Sequence, residues 1–146
     1  MAEFTTHIDI DASPEEVFDH LTTVAGLLSW MGEWAELEAV PGGVFAVNIQ
    51  GTPVRGRYLE VERPRRVRVS WGMAGNDDFP PGTSWVEFRL VRQGEGTRLH
   101  LHHTGLPDSR TPTHERGWTH YLARLTGAVA GADPGPDPGF DGMRHP

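Results

Sequence analysis

GTRLHLHHTGLP, Gly96 to Pro107, followed by THERGWTHYLARLTGAVAG, Thr113 to Gly131, is the stretch that decides the fold. In the first part Leu99, Leu101 and His103 alternate with Arg98, His100 and His102, the period of a strand with one apolar face. In the second, Trp118, Leu122, Leu125 and Val129 fall on one stripe with His114 and Tyr121 beside it, the period of an amphipathic helix. Thr111 suits a cap and Pro112 the first helical position, and the helix is expected to run to about Ala130. A strand leading through a short proline-containing loop into one long amphipathic helix suits a helix laid across a curved sheet around an apolar cavity.

The residues upstream supply the rest of such a sheet. Phe4 to Ile10 alternates as a strand. Ser13-Pro14-Glu15-Glu16 is a helix start, with Ser13 as cap and Glu16 placed to complete a capping box. Val17, Phe18 and Leu21 form the apolar face of this helix. A second short helix is expected through Val24, Leu27, Leu28 and Trp30, after a break near Thr22 or Thr23. Strands follow at Trp34 to Val40, Val44 to Gln50, Val54 to Glu62, Arg66 to Trp71, Ser84 to Val91 and Thr97 to His103, separated by glycine- and proline-containing turns and by a loop from Gly72 to Gly82. The order is an antiparallel meander of seven strands.

Composition limits what this sheet serves. A chain of 146 residues suits one domain. The domain is expected over residues 1–131, and residues 132–146, rich in Gly, Pro and Asp, read as a disordered tail. The absence of cysteine excludes disulfides, thiolate zinc sites and a cysteine nucleophile, and suits a reducing, cytoplasmic setting. No apolar run reaches the length of a membrane span, so no membrane insertion is expected. A net charge of -7 argues against a nucleic-acid partner. Every one of the 13 basic residues is arginine, and Arg55, Arg57, Arg63, Arg65, Arg66 and Arg68 crowd two successive strands. This run reads as the wet outer face of a sheet, or as a docking surface for an acidic protein partner.

IDASPEEVFDHL (10–21), the Trp30 to Trp34 segment with PGGVF (41–45), GRYLEVERPRRVRVSW (56–71), the Gly96 to Pro107 run and GWTHYLARL (117–125) occur in an order that resembles a known fold. It is similar to the START and Bet v 1-like (SRPBCC) superfamily and, more narrowly, to the activator of heat-shock-protein-90 ATPase homologue 1-like family, over about residues 4 to 131. The resemblance implies an α+β helix-grip fold, a seven-stranded curved antiparallel sheet wrapped around the long C-terminal helix with two short helices after the first strand. It also implies a cavity that in this superfamily holds lipids, hormones, polyketides or other apolar molecules. It implies no shared catalytic residue. No cofactor and no metal are expected.

Strand parity nominates the cavity wall. With Leu99 and Leu101 inward, His103 is inward too, as are Val86, Phe88 and Leu90 and Val67, Val69 and Trp71. In Val54 to Glu62, Tyr58, Leu59 and Val61 cannot all face inward without a bulge, and Tyr58 is taken as the inward residue. The candidate ligand-binding set is Trp30, Trp34, Tyr58, Trp71, Phe88, His103, Trp118 and Tyr121, with Met73 and Phe79 on the Gly72 to Gly82 loop that would cover an entrance. These aromatics either fill a core or surround a cavity. Five tryptophans, each with an indole N–H that needs a partner when buried, are more easily placed around a partly wet cavity.

His103 and Tyr58 are the candidate acid–base pair for chemistry on a bound molecule, and the alternative for His103 is a buried hydrogen bond tying strand to helix. His100 and His102 share a face, with Glu87 on the neighbouring strand, but two histidines without a clear third ligand do not define a metal site. Asp77-Asp78 belongs to a turn-forming loop. No nucleophile elbow, phosphate loop, dinucleotide fingerprint or His-Glu-x-x-His motif occurs. The leading expectation is a binding protein for a small apolar or aromatic molecule rather than an enzyme. The alternatives are a polyketide cyclase/aromatase-like enzyme or small hydrolase using the same cavity, and a co-chaperone-like protein-interaction module.

Overall fold

The strand Ala2–Ile10 (β1) opens the fold, and the computed structural model describes the chain over residues 2–77, 79–107 and 111–131. The expected tail, and Asp78 of the carboxylate pair, lie outside the described residues. Ser13 caps the helix Pro14–Thr22 (α1): its hydroxyl accepts from the Glu16 amide at 3.2 Å and lies 3.4 Å from the Glu16 carboxylate. Thr23 is at once the C-cap of α1 and the N-cap of the short helix Val24–Leu28 (α2), its hydroxyl accepting from the Gly26 amide. The expected break is this shared cap.

Six further strands follow: Trp34–Leu37 (β2), Val44–Ile49 (β3), Thr52–Glu62 (β4), Arg66–Met73 (β5), Ser84–Gln93 (β6) and Gly96–Leu106 (β7). They form one antiparallel sheet in the order β1-β7-β6-β5-β4-β3-β2. The helix Thr111–Val129 (α3) lies over its concave face, completing the helix-grip arrangement of the α+β class. Several boundaries differ from the sequence reading, and two of the differences have a visible physical reason. β2 stops at Leu37 because Glu38 to Gly43 bonds to itself, Val40 N–H to Glu38 C=O and Gly43 N–H to Val40 C=O. β5 runs on through Gly72, which pairs with Arg55. A Cβ there would stand 2.1 Å from the Pro80 carbonyl, so this glycine serves close packing inside a strand rather than a turn.

The bulge is where the β4 residues require it. Tyr58 pairs with Val69 and Glu60 with Arg68, so Leu59 is the extra residue. It is 43% exposed while Tyr58 is fully buried and Val61 partly so. Val67, Val69 and Trp71, then Val86, Phe88 and Leu90, then Leu99, Leu101 and His103 are all buried on the inner face. From α3, Trp118, Tyr121, Leu122, Leu125 and Val129 meet them. An isolated helix of this length, with Gly117 and Gly127 in it at about 1 kcal/mol each, would be marginal. Burial of several side chains at roughly 2 kcal/mol each outweighs that cost, so α3 is held by the sheet.

The helical corner is fastened to both layers. Trp30, fully buried, donates its indole N–H to the His20 carbonyl at 2.9 Å, and its own carbonyl accepts from Arg124 Nε of α3. Tyr58 donates its hydroxyl to the Leu21 carbonyl at 3.1 Å, and burial raises its pKa well above the ordinary phenol value. Tyr58→Phe removes this donor and leaves a buried carbonyl unmatched. A loss of about 1–2 kcal/mol in chemical denaturation, with unchanged circular dichroism, is the expected outcome.

Candidate functional site

A chain of polar groups runs through the inner layer among apolar side chains. Ser84 opens β6 with its hydroxyl donating to the Trp71 carbonyl at 2.8 Å. That hydroxyl has a single proton, so towards His103 Nε2, also at 2.8 Å, it can only accept. His103 is therefore protonated on Nε2, and its Nδ1 accepts the indole N–H of Trp118 at 3.1 Å. The chain joins α3 to β7, β6 and β5 through one imidazole held neutral in one tautomer. Burial, first of all, and the neighbouring His114 and His102 push its pKa well below the ordinary histidine value. A second proton would sit on Nδ1, facing the Trp118 donor.

Beside this chain lies a cavity of about 80 Å³, between β3, β4 and β5 on one side and α3 on the other. Of the residues nominated from sequence, Trp71, Met73, Trp118 and Tyr121 stand in its wall. Phe88 is one ring removed and Tyr58 two. Tyr58 meets Phe45, which meets Trp71, with centroids 5.7 and 5.8 Å apart, and Phe88 meets Trp118 at 5.8 Å. His103 packs edge-on against Trp71 at 5.8 Å and against His114 at 5.2 Å. Trp30 is buried in the corner next to Met31, which is itself in the wall. Trp34 is 43% exposed on β2, with the Arg55 guanidinium 5.2 Å from its ring centroid. Phe79 is fully buried, edge-on to His114 of α3.

The loop after β5 is tied down. Met73 N–H donates to the Phe79 carbonyl at 2.7 Å and Phe79 N–H to Asn76 Oδ1 at 3.0 Å. Phe79 is seated against His114, which stands in the wall. The candidate set lacked Met31, Ile49, Thr52, Val54, Thr113, His114 and Gly117 of the wall. Inward parity on β3 and β4 was a usable signal for Ile49 and Val54. Only the packed topology shows that these two, Met31 and Gly117 border the same space.

The outer face of the sheet is laced with ion pairs. Arg66 reaches Glu60 and Glu87, Arg68 reaches Glu60, Arg65 reaches Glu62, and Arg63 reaches Asp19. His100 lies beside His7, ring to ring at 5.8 Å, whereas His102 faces Glu3 at 3.2 Å. Among the described residues no three His, Asp or Glu side chains converge, and no helix is long and apolar enough to cross a membrane.

The depressed pKa of His103 has a definite sign. Its contribution to stability is complete above the unfolded value near 6.5 and is lost as pH falls below that towards the folded value, because the unfolded chain binds the extra proton. Between pH 7 and pH 5 wild-type stability should fall more steeply than that of His103→Gln. The difference in slope should approach one proton, about 1.4 kcal/mol per pH unit at most, in parallel denaturation series.

Residues 11–130 match the family described as activator of Hsp90 ATPase homolog 1-like protein. The AHSA1-like protein of Rhizobium etli is 43% identical, with 99% of this chain and 92% of that one aligned at a TM-score of 0.73. CalU16 from Micromonospora echinospora is 31% identical over 92% of this chain and 77% of its own, also at 0.73. An HSP90 activator from Plasmodium falciparum shares the fold at 22% identity, over 88% and 96% of the two chains, with a TM-score of 0.73. No protein of curated function matches the sequence. With its fold, its strand order and nearly its whole described length accounted for, the chain belongs to the activator of Hsp90 ATPase homologue 1-like family of the Bet v 1-like superfamily.

Proposed function

We propose that this protein binds a small apolar or aromatic molecule, or the apolar end of a larger one, in the cavity between the sheet and α3. The observation that carries the reading is the wall itself. Met31, Ile49, Val54, Trp71, Trp118 and Tyr121 leave about 80 Å³ unfilled in an otherwise close-packed layer. That is room for a few waters or a short hydrocarbon segment rather than a whole drug-sized ligand. The superfamily's fold commonly binds hydrophobic ligands, which supports the same use here. In this reading the helix-grip domain is residues 1–131, working in the cytoplasm, the reducing setting that a chain without cysteine suits.

His103 and Tyr58 then serve the wall and not a reaction. Both imidazole nitrogens are engaged, and the Tyr58 hydroxyl points to a helix carbonyl. The likeness to an HSP90 activator is a likeness of fold, and the arginines from Arg63 to Arg68 that an acidic partner would need are paired with carboxylates of this chain. Ligand binding thus explains more of the molecule than either alternative.

A thermal-shift series with alkylbenzenes, phenols, short ketones and fatty acids tests the reading. A saturable rise in melting temperature with at least one class is expected, by mass action on the folded state. Gly117 lies in the wall on α3, so Gly117→Leu should fill the cavity. The variant should lose the ligand-induced shift. Its own stability should be equal or higher, since replacing a mid-helix glycine contributes up to about 1 kcal/mol. No shift with any class would refute the proposal.

A further inference from the structure

Every buried indole N–H around the cavity has an acceptor except one. Trp30 donates to His20 and Trp118 to His103, whereas Trp71 Nε1 is buried with no partner. Trp71 is 4% exposed and stands in the cavity wall. The aromatic neighbours around it offer no lone pair. Phe45 has none, Trp118 is a donor, and both nitrogens of His103 are used. The Ser84 hydroxyl already donates to the Trp71 carbonyl and accepts from His103. Leaving a buried donor unmatched costs about 1–3 kcal/mol, so its acceptor has to come from what fills the cavity.

We infer that Trp71 Nε1–H is the recognition donor of this cavity, and that the ligand is an apolar molecule carrying a neutral acceptor, a carbonyl or ether oxygen, placed against it. This rests on the apolar-ligand reading above and sharpens it. Among the described residues the wall contains no arginine, so a carboxylate would be buried without a permanent cation beside it, which disfavours fatty-acid head groups at the inner end. The remaining surface is apolar apart from Thr52, Thr113, His114 and the Tyr121 hydroxyl, so orientation is set at Trp71. The cavity volume limits the inserted part to a few heavy atoms on each side of the oxygen.

The test uses a matched pair of probes, 2-pentanone and 2-methyl-1-pentene, which differ in an oxygen against a methylene. Both are titrated into the full chain labelled with nitrogen-15 and carbon-13, with the five indole N–H signals and the wall methyls assigned. Both probes should perturb the Met31 and Val54 methyl signals. Only the ketone should move the Trp71 indole proton downfield, saturably, as a hydrogen bond requires. In Trp71→Phe both probes lose the same apolar contact, and the ketone's Kd should rise about fivefold more than the alkene's, the ratio expected for one lost hydrogen bond. If that variant does not fold, the indole shift in the wild-type chain decides alone. Equal responses of Trp71 to both probes would overturn the inference and leave apolar binding standing. A Trp71 indole proton in persistent contact with water and indifferent to saturating ketone would overturn it in favour of a resident water. Binding of neither probe, at the methyls or at the indole, would overturn both this inference and the proposed function.

Discussion

The hydrogen-bond chain from Trp118 through His103 and Ser84 to the Trp71 carbonyl is the constraint on which the inner architecture depends. Apolar contact between helix and sheet is strong but tolerant of sliding, because leucine against leucine is nearly as good one turn along. A buried imidazole is not tolerant. It must meet one donor and one acceptor, and in this fold those partners are on α3 and β6. The polar chain therefore sets where along the sheet the helix rests, and the apolar stripe from Leu122 to Val129 supplies most of the energy of holding it there.

The cavity follows from that placement. Trp71 and Trp118, with ring centroids 5.2 Å apart, are both held by the polar chain, one through its carbonyl and one through its indole. An indole anchored at its N–H, as that of Trp118 is, cannot slide inward to fill the space beside it. His114, against which Phe79 is seated, and Met31, next to the buried Trp30, stand in further parts of the wall. An unfilled volume beside an otherwise dense core is thus a product of positional constraint and not of poor packing.

Much of this was legible in the residues. Alternation in Arg98 to His103 placed His103 inside and His100 outside, and the clash of parity among Tyr58, Leu59 and Val61 announced the bulge. Ser13-Pro14 and Thr23 marked helix starts by side-chain chemistry that acts within one turn. The cavity wall was legible only in part, because parity gives a face and not a neighbour. Trp34 has a strand's alternation like Trp71, yet β2 is a short edge strand and its tryptophan meets Arg55 and solvent. The tautomer of His103 was out of reach altogether, since it depends on a serine nineteen residues away and a tryptophan fifteen residues on. Gly72 misled for a simple reason: glycine marks both turns and close approaches, and the Pro80 carbonyl that demands the second cannot be foreseen from composition.

The strand order has a consequence for how the chain assembles. From β2 to β7 every neighbour in the sheet is also the next strand in sequence, so five hairpins can close in succession as the polypeptide lengthens. β1 is the exception. It is synthesised first, yet its only partner in the sheet is β7, with Ile8 opposite Leu99 and Phe4 opposite His103. During vectorial synthesis this strand waits, unpaired, until all the others have emerged, and its arrival completes the sheet on which α3 rests. A growing chain thus carries a short adhesive segment through most of its elongation, and its charged and polar alternate residues Glu3, Thr5, His7 and Asp9 keep that segment in water until its partner exists.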